Sequence, residues 1–330
     1  MLNNLNILFS SMMVISTLIA VSSSNWLSTW MGLEVNMISF IPLITNNKNI
    51  LSNESALKYF LIQAIASCSF LTFCLLNTFN SSIISSINIP IFLNMLMSTT
   101  LMLKLGAAPF QSWFIMVMEG LTWLKSLILM TWQKIAPIFI LFYINSPKII
   151  NLFCILSLII GSIGGLNQTS LKKIMAYSSI NHLGWMLSSI FLNKSLLIFY
   201  FFMYFLLNLF TLMNFMKINV THFNQVFHKN TIHFPVSLLS LSGLPPFLGF
   251  LPKWLIINNM MNLNMNMLCF IMIMTALITT FFYIRLIINS MIMINYTEKY
   301  LINMNFNHNL INNMTLTISC FSLFLFNMLL

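Results

Sequence analysis

Long apolar runs separated by short polar loops make up this chain from one end to the other. A membrane-crossing helix needs about 20 predominantly apolar residues. On that measure eleven spans are expected, at about 4–21, 26–45, 56–77, 83–106, 122–145, 149–167, 173–192, 195–217, 234–257, 266–293 and 310–329. The loops between them are rich in Asn, Ser and Lys, and none is long or polar enough to form a domain outside a membrane. The pattern predicts an all-α polytopic membrane protein forming a single integral-membrane domain over 1–330. The first run lacks a basic leader and a small-residue cleavage site, so it is expected to be a span and not a signal peptide.

Two of the runs are irregular. Ile83 to Met118 as one continuous helix would be about 54 Å long, well beyond a hydrocarbon core of about 30 Å. It is interrupted at Leu105-Gly106-Ala107-Ala108-Pro109. Proline lacks a backbone donor and disfavours helix in the residue before it. The run 234–257 is interrupted at Gly243-Leu244-Pro245-Pro246, and again at Pro252. Both breaks read glycine, two residues, proline, phenylalanine, ending at Phe110 and Phe247. Broken helices at corresponding places in two halves point to an ion pathway, because unwound backbone is tolerated at depth only where it is buried or lines a cavity. Simple kinking is the plainer alternative.

Composition sharpens this picture. The chain is 59% hydrophobic and 5% charged, with a mean hydropathy of +0.91 and a net charge of +10. The basic residues are scattered singly, with no basic run alternating with aromatics, which argues against nucleic acid as a partner. Positive-inside topology explains them better. Lys48, Lys58, Lys172, Lys173, Lys217, Lys229 and Lys299 fall on the side of the N-terminus and Lys148 and Lys194 on the other, so the N-terminus is expected to face the negative, matrix-like compartment. An odd span count then places the C-terminus opposite. Met, Ile, Asn, Phe and Lys are abundant while arginine occurs once, at Arg285, a bias that suits an AT-rich, organelle-type genome. Five cysteines (Cys68, Cys74, Cys154, Cys269, Cys320) show no metal spacing and imply no disulfide framework.

In such a chain an ionisable residue within a span is a functional candidate, since a lysine at the bilayer centre costs about 2.5–3.5 kcal/mol on insertion scales. Glu34, in Trp30-Met-Gly-Leu-Glu-Val-Asn, falls near the middle of its span. It is either a buried carboxylate needing a cation or an interfacial one. Lys104 stands two residues before the first break, with Glu34 its obvious counter-ion. Burial opposes its charge and the carboxylate favours it, so a small movement could switch it. A purely structural ion pair is the alternative. Lys134 lies about 13 Å deeper than Lys125 if Lys125 marks the interface, too deep for comfortable snorkelling. Lys253 follows Pro252 and reads from its own surroundings as either an anchor or a buried cation. His182, in Ser178-Ser-Ile-Asn-His-Leu-Gly-Trp185, is also deep. It is either a proton-exchanging group or a hydrogen-bonded core residue. Glu54, Glu119, Lys125 and Glu298 fall at loops or span ends and are expected to be solvated. His222, His228 and His233 share one polar loop but have no carboxylate or cysteine beside them. No P-loop, dinucleotide fingerprint, haem pair or zinc motif occurs, so no redox centre or metal site is expected on this chain.

Several longer motifs narrow the reading: Lys104-Leu-Gly-Ala-Ala-Pro-Phe, Thr131-Trp-Gln-Lys-Ile-Ala-Pro, Gly164-Gly-Leu-Asn-Gln-Thr-Ser-Leu-Lys-Lys, Tyr177-Ser-Ser-Ile-Asn-His-Leu-Gly-Trp and Leu241-Ser-Gly-Leu-Pro-Pro-Phe-Leu-Gly-Phe-Leu-Pro-Lys-Trp. With these, and with Leu57-Lys-Tyr-Phe, the chain closely resembles the subunit 2 family of animal mitochondrial NADH dehydrogenase, an antiporter-like membrane subunit of respiratory complex I. The resemblance runs essentially end to end. It implies an antiporter-like fold with two inverted repeats (about 1–146 and 147–293) and a C-terminal helix at about 310–329. It implies a central axis of Glu34, Lys104, Lys134 and Lys253 along which protons move. It also implies the mitochondrial inner membrane, with the N-terminus in the matrix and the C-terminus in the intermembrane space. The partners implied are other membrane-arm and accessory subunits and inner-membrane lipids, with NADH, FMN, Fe–S clusters and ubiquinone on other subunits. One departure stands out. Related chains have histidine where this one has Gln111, and proline where it has Ile115. Glutamine does not titrate near neutral pH, so a titrating role at that position is excluded.

Three classes of function follow. One is a proton-conducting subunit driven by redox chemistry elsewhere. Another is a free-standing cation/proton antiporter, recognisable by flux through the isolated chain. The third is a structural spacer, in which neutralising Glu34 and Lys104 together would leave pumping intact.

Overall fold

The computed structural model describes residues 4–45, 49–83, 88–144, 146–218, 220–222, 225 and 233–297. Every regular element among them is helical: α1 Asn4–Ser22, α2 Trp26–Ile44, α3 Ile50–Ile83, α4 Asn88–Leu105, α5 Ser112–Gly120, α6 Trp123–Met130, α7 Trp132–Ile144, α8 Pro147–Leu166, α9 Leu171–Ile190, α10 Lys194–Ile218, α11 His233–Ser242, α12 Phe250–Asn262 and α13 Asn266–Thr297. Among the described residues seven helices are long and apolar enough to cross a membrane, with Ile91–Leu105 a shorter apolar helix. The last expected span at 310–329 lies outside the described residues, as do Lys48, Lys229, Lys299, His228, Glu298 and Cys320.

Several boundaries differ from expectation for identifiable reasons. Helix α3 starts at Ile50 and not near residue 56. Its polar first turns carry Glu54 and Lys58 on one face, 3.8 Å apart, an i,i+4 arrangement compatible with a helix. The run expected at 122–145 divides at Thr131, whose Oγ1 donates to Leu127 O at 2.7 Å and whose own carbonyl takes an i+3 bond from Lys134 N at 3.1 Å. A threonine bonding back to its own helix bends it. Pro137 lies within α7. The run 234–257 resolves into α11 and an α12 that continues to Asn262.

The chain forms two compact units, Met1–Ser157 and Leu158–Leu330. In the first, α3 packs on α2, α4 and α5, and α7 packs on α1, α2, α4 and α6. In the second, α10 and α13 each pack on α9 and α11, and both also meet α12. Helix α9 is buried on nearly every side, which is how a core helix differs from a one-faced surface helix. Its serines do not leave unpaired hydroxyls: Ser178, Ser179, Ser188 and Ser189 each donate to the carbonyl three residues back, at 2.6–2.8 Å.

Both expected breaks are present, and they share a backbone conformation. Gly106 has φ +68° and Gly243 φ +76°, a left-handed setting natural to glycine. Gly106 N donates to Leu103 O at 3.1 Å and Ala107 N to Met102 O at 3.1 Å, a helix-ending Schellman pattern. Gly243 N likewise donates to Ser240 O at 3.3 Å. Four residues beyond each glycine, Phe110 N bonds Ala107 O and Phe247 N bonds Leu244 O, at 2.8 and 2.9 Å. The bonds Ala108–Pro109 and Pro245–Pro246 are both cis.

Candidate functional site

In the first unit side chains cap the end of α4. Gln63 Nε2 donates to Lys104 O at 3.1 Å, and Trp113 Nε1 donates to Leu103 O at 3.1 Å. Buried carbonyls left by a helix terminus need such partners. The cap leaves the Lys104 side chain facing a cavity of about 20 Å³, which Lys134 lines from α7. The polar residues of its wall are Asn36, Tyr59, Gln63 and Gln133. A water needs about 10–15 Å³ measured this way and two to four polar partners, so the cavity suits about one.

Both lysines are buried, Lys104 7% and Lys134 2% exposed. The Lys134 ammonium stands 5.1 Å from the centroid of the Phe114 ring, a cation–π contact. Lys134 is thus enclosed by protein side chains. Glu34 is half-buried, and its Oε2 is enclosed without a protein hydrogen bond. The expected Glu34–Lys104 ion pair is not formed as a direct contact among the described residues. Tyr59 and Gln63, on one face of α3, line the same cavity as Lys104. Lys125, expected to be solvated, donates to Ile44 O at 2.9 Å and so caps the C-terminus of α2.

The second unit gathers His182 and Lys253. Lys253 is 6% exposed. Its ammonium donates to Ser242 O, the last carbonyl of α11, at 2.7 Å, and lies 5.6 Å from the Trp185 ring centroid. It is a buried cation at the second break, and not an interfacial anchor. His182, 5% exposed, shares a 2.8 Å hydrogen bond between Nδ1 and the Tyr200 hydroxyl, and its ring centroid is 5.0 Å from that of Tyr204. Among the described residues no group of His, Cys, Asp and Glu is placed to hold a metal ion. Gln111 Oε1 is enclosed without a protein partner.

The partners Asn36, Tyr59, Gln63, Gln133 and Tyr200 escape a reading based on charge, because they are neutral. The available signals were the i,i+4 spacing of Tyr59 and Gln63, which puts both on one helix face, and the position of Gln133 beside Lys134.

Paired broken helices, buried ammonium groups and a polar cavity within apolar spans define the class: an antiporter-like membrane protein. Comparison with known proteins agrees. The family model described as NADH:quinone oxidoreductase/Mrp antiporter, TM, matches residues 23–279. A chain of respiratory complex I from Thermus thermophilus superposes with a TM-score of 0.79 at 24% identity, covering 87% of this chain and 70% of that one. A chain of the archaeal membrane-bound sulfane sulfur reductase gives 0.82 at 14% identity, covering 96% and 72%. Among sequences, NADH-ubiquinone oxidoreductase chain 2 of Anopheles gambiae is 46% identical over 92% of this chain and 91% of its own length. That of Aedes aegypti is 44% identical over 95% and 93%. The chain belongs to the NADH-ubiquinone oxidoreductase chain 2 family.

Proposed function

We propose that the chain is a membrane-arm subunit of proton-translocating NADH:ubiquinone oxidoreductase in the mitochondrial inner membrane, and that it relays protons through its buried lysines. NADH oxidation and ubiquinone reduction take place on other subunits, which carry the FMN and Fe–S clusters. The surrounding partners are those subunits, accessory subunits and inner-membrane lipids. The N-terminus faces the matrix, as the loop lysines suggest, and the C-terminus the intermembrane space. The two broken helices belong to two repeats of one ancestral unit.

The observation that carries this reading is the single cavity lined by both Lys104 and Lys134. Two ammonium groups cannot both stay charged at close quarters in a medium of low dielectric without a large cost. One proton shared between two amines, exchanged through a water, is the arrangement such a cavity supports. Glu34 biases that sharing from a distance, and moving α2 would change the bias. Lys253 and His182 hold the corresponding stations in the second unit.

Lys134→Met keeps the length of the side chain and removes the proton carrier. The assembled enzyme carrying it is expected to lose most of its proton pumping per NADH oxidised, measured in sealed vesicles. Full pumping stoichiometry would overturn the relay.

A further inference from the structure

Beside Lys134, Gln133 makes contacts that the relay does not yet explain. Its Nε2 donates to Asn36 Oδ1 on α2 at 3.2 Å and lies 3.3 Å from Met13 Sδ on α1. Its Oε1 accepts from the Tyr59 hydroxyl on α3 at 3.3 Å. A thioether sulfur accepts and cannot donate, so the NH₂ end of the amide must be the end facing α1 and α2. That leaves the carbonyl end for Tyr59. The phenol has one proton, and it is committed to Gln133. Towards the cavity Tyr59 therefore offers only lone pairs. Tyr59 and Asn36 are 2% and 3% exposed, so bulk water does not compete for these bonds.

We propose that Gln133 is a positioning residue that sets the hydrogen-bond polarity of the cavity between Lys104 and Lys134. This rests on the relay reading above. A water entering the cavity has two protons and must give one to the Tyr59 oxygen. Its lone pair then turns to an ammonium and its other proton to a neutral amine. In the transfer, an N–H bond of Lys104 breaks as an O–H bond forms on the water. The water's other O–H bond breaks as an N–H bond forms on Lys134. One proton has moved, and the water is unchanged in composition. Without the Gln133 acceptor the Tyr59 hydroxyl is free to point its own proton into the cavity, and the water loses its fixed orientation. Gln133 itself neither gains nor loses a proton.

The test compares Gln133→Leu, Tyr59→Phe, the double variant and Lys134→Met in the whole enzyme, in sealed vesicles, with assembly checked on native gels. Pumping per NADH is measured in water and in deuterium oxide. Each single variant is expected to lose about tenfold in pumping and to show a larger solvent isotope effect than the wild type, and the double variant to lose no more than the worse single one. A loss of packing alone would reduce the amount of assembled enzyme and leave the isotope effect of the remainder unchanged. That outcome overturns the proposal, as do wild-type pumping in both single variants or losses that multiply in the double variant, while Lys134→Met is inactive. Normal pumping by Lys134→Met would instead overturn the relay reading itself. If Gln133→Leu fails to assemble, Tyr59→Phe decides, since it removes one oxygen and keeps the ring.

Discussion

Replacing Gly243 with alanine tests whether the second break is there to hold an ammonium. The backbone at Gly243 has φ +76°, where a Cβ costs about 1–2 kcal/mol. The new methyl group would also lie 2.9 Å from Lys253 Nζ, 3.0 Å from its Cδ and 3.1 Å from Gly249 O. The flexible lysine can yield, but yielding breaks its 2.7 Å bond to Ser242 O. A hydrogen bond with one charged member contributes about 1.5–3 kcal/mol. The backbone strain and the lost bond together destabilise the variant by about 2.5–5 kcal/mol. The 2.9 Å approach of the methyl group to Nζ, closer than a Cβ normally comes to any atom, is what drives the ammonium off Ser242 O. Gly165→Ala serves as the control, because its added Cβ meets only the edge of the Phe282 ring, at 3.0 Å. Its cost falls at the low end of the overpacking range, about 1 kcal/mol. Both variants are expected to assemble on native gels. In sealed vesicles Gly243→Ala should pump less than a tenth as many protons per NADH, and Gly165→Ala nearly as many as the wild type. Equal pumping by the two variants would refute the argument.

Other expectations follow from single contacts. Lys125→Met removes the cap on α2 and should cost about 1 kcal/mol, seen as faster amide exchange around Ile44 with pumping retained. Glu54→Ala removes a pair whose side chains are 54% and 48% exposed. Worth about 0.3–0.5 kcal/mol at most, it should leave the melting temperature of the enzyme unchanged. Tyr200→Phe takes the hydroxyl from His182 Nδ1, and the pH profile of pumping should shift with assembly intact. An unmoved profile would remove His182 from the proton path.

The span pattern and both breaks were legible in the sequence because they depend on strong local signals: apolar runs of membrane length, and Gly-x-x-Pro interruptions. The burial of Lys104 and Lys134 was legible because a side chain in the middle of an apolar run has little water within its reach, whereas Lys253, close to polar residues, read equally as an anchor. The break at Thr131 was not, since it has neither glycine nor proline and depends on a hydroxyl bonding back to Leu127 O. The start of α3 was hidden by its polar composition, which an i,i+4 ion pair makes compatible with helix. The Glu34–Lys104 contact was expected from charge complementarity alone. Sequence cannot show that Tyr59 and Gln63 line the cavity beside Lys104.

The two lysines at the breaks come from opposite directions. Lys104 lies in the last turn of α4, ahead of Gly106, whereas Lys253 lies ten residues beyond Gly243 and reaches back to the end of α11. Lys104 thus belongs to the last turn of its own half-helix, whereas Lys253 brings its ammonium to the carbonyl-bearing, negative pole of another. The end of each half-helix is served by a lysine of its own helix in one case and by a lysine of a later segment in the other. A search for buried lysines by fixed spacing from the glycine would find one of these two and overlook the other.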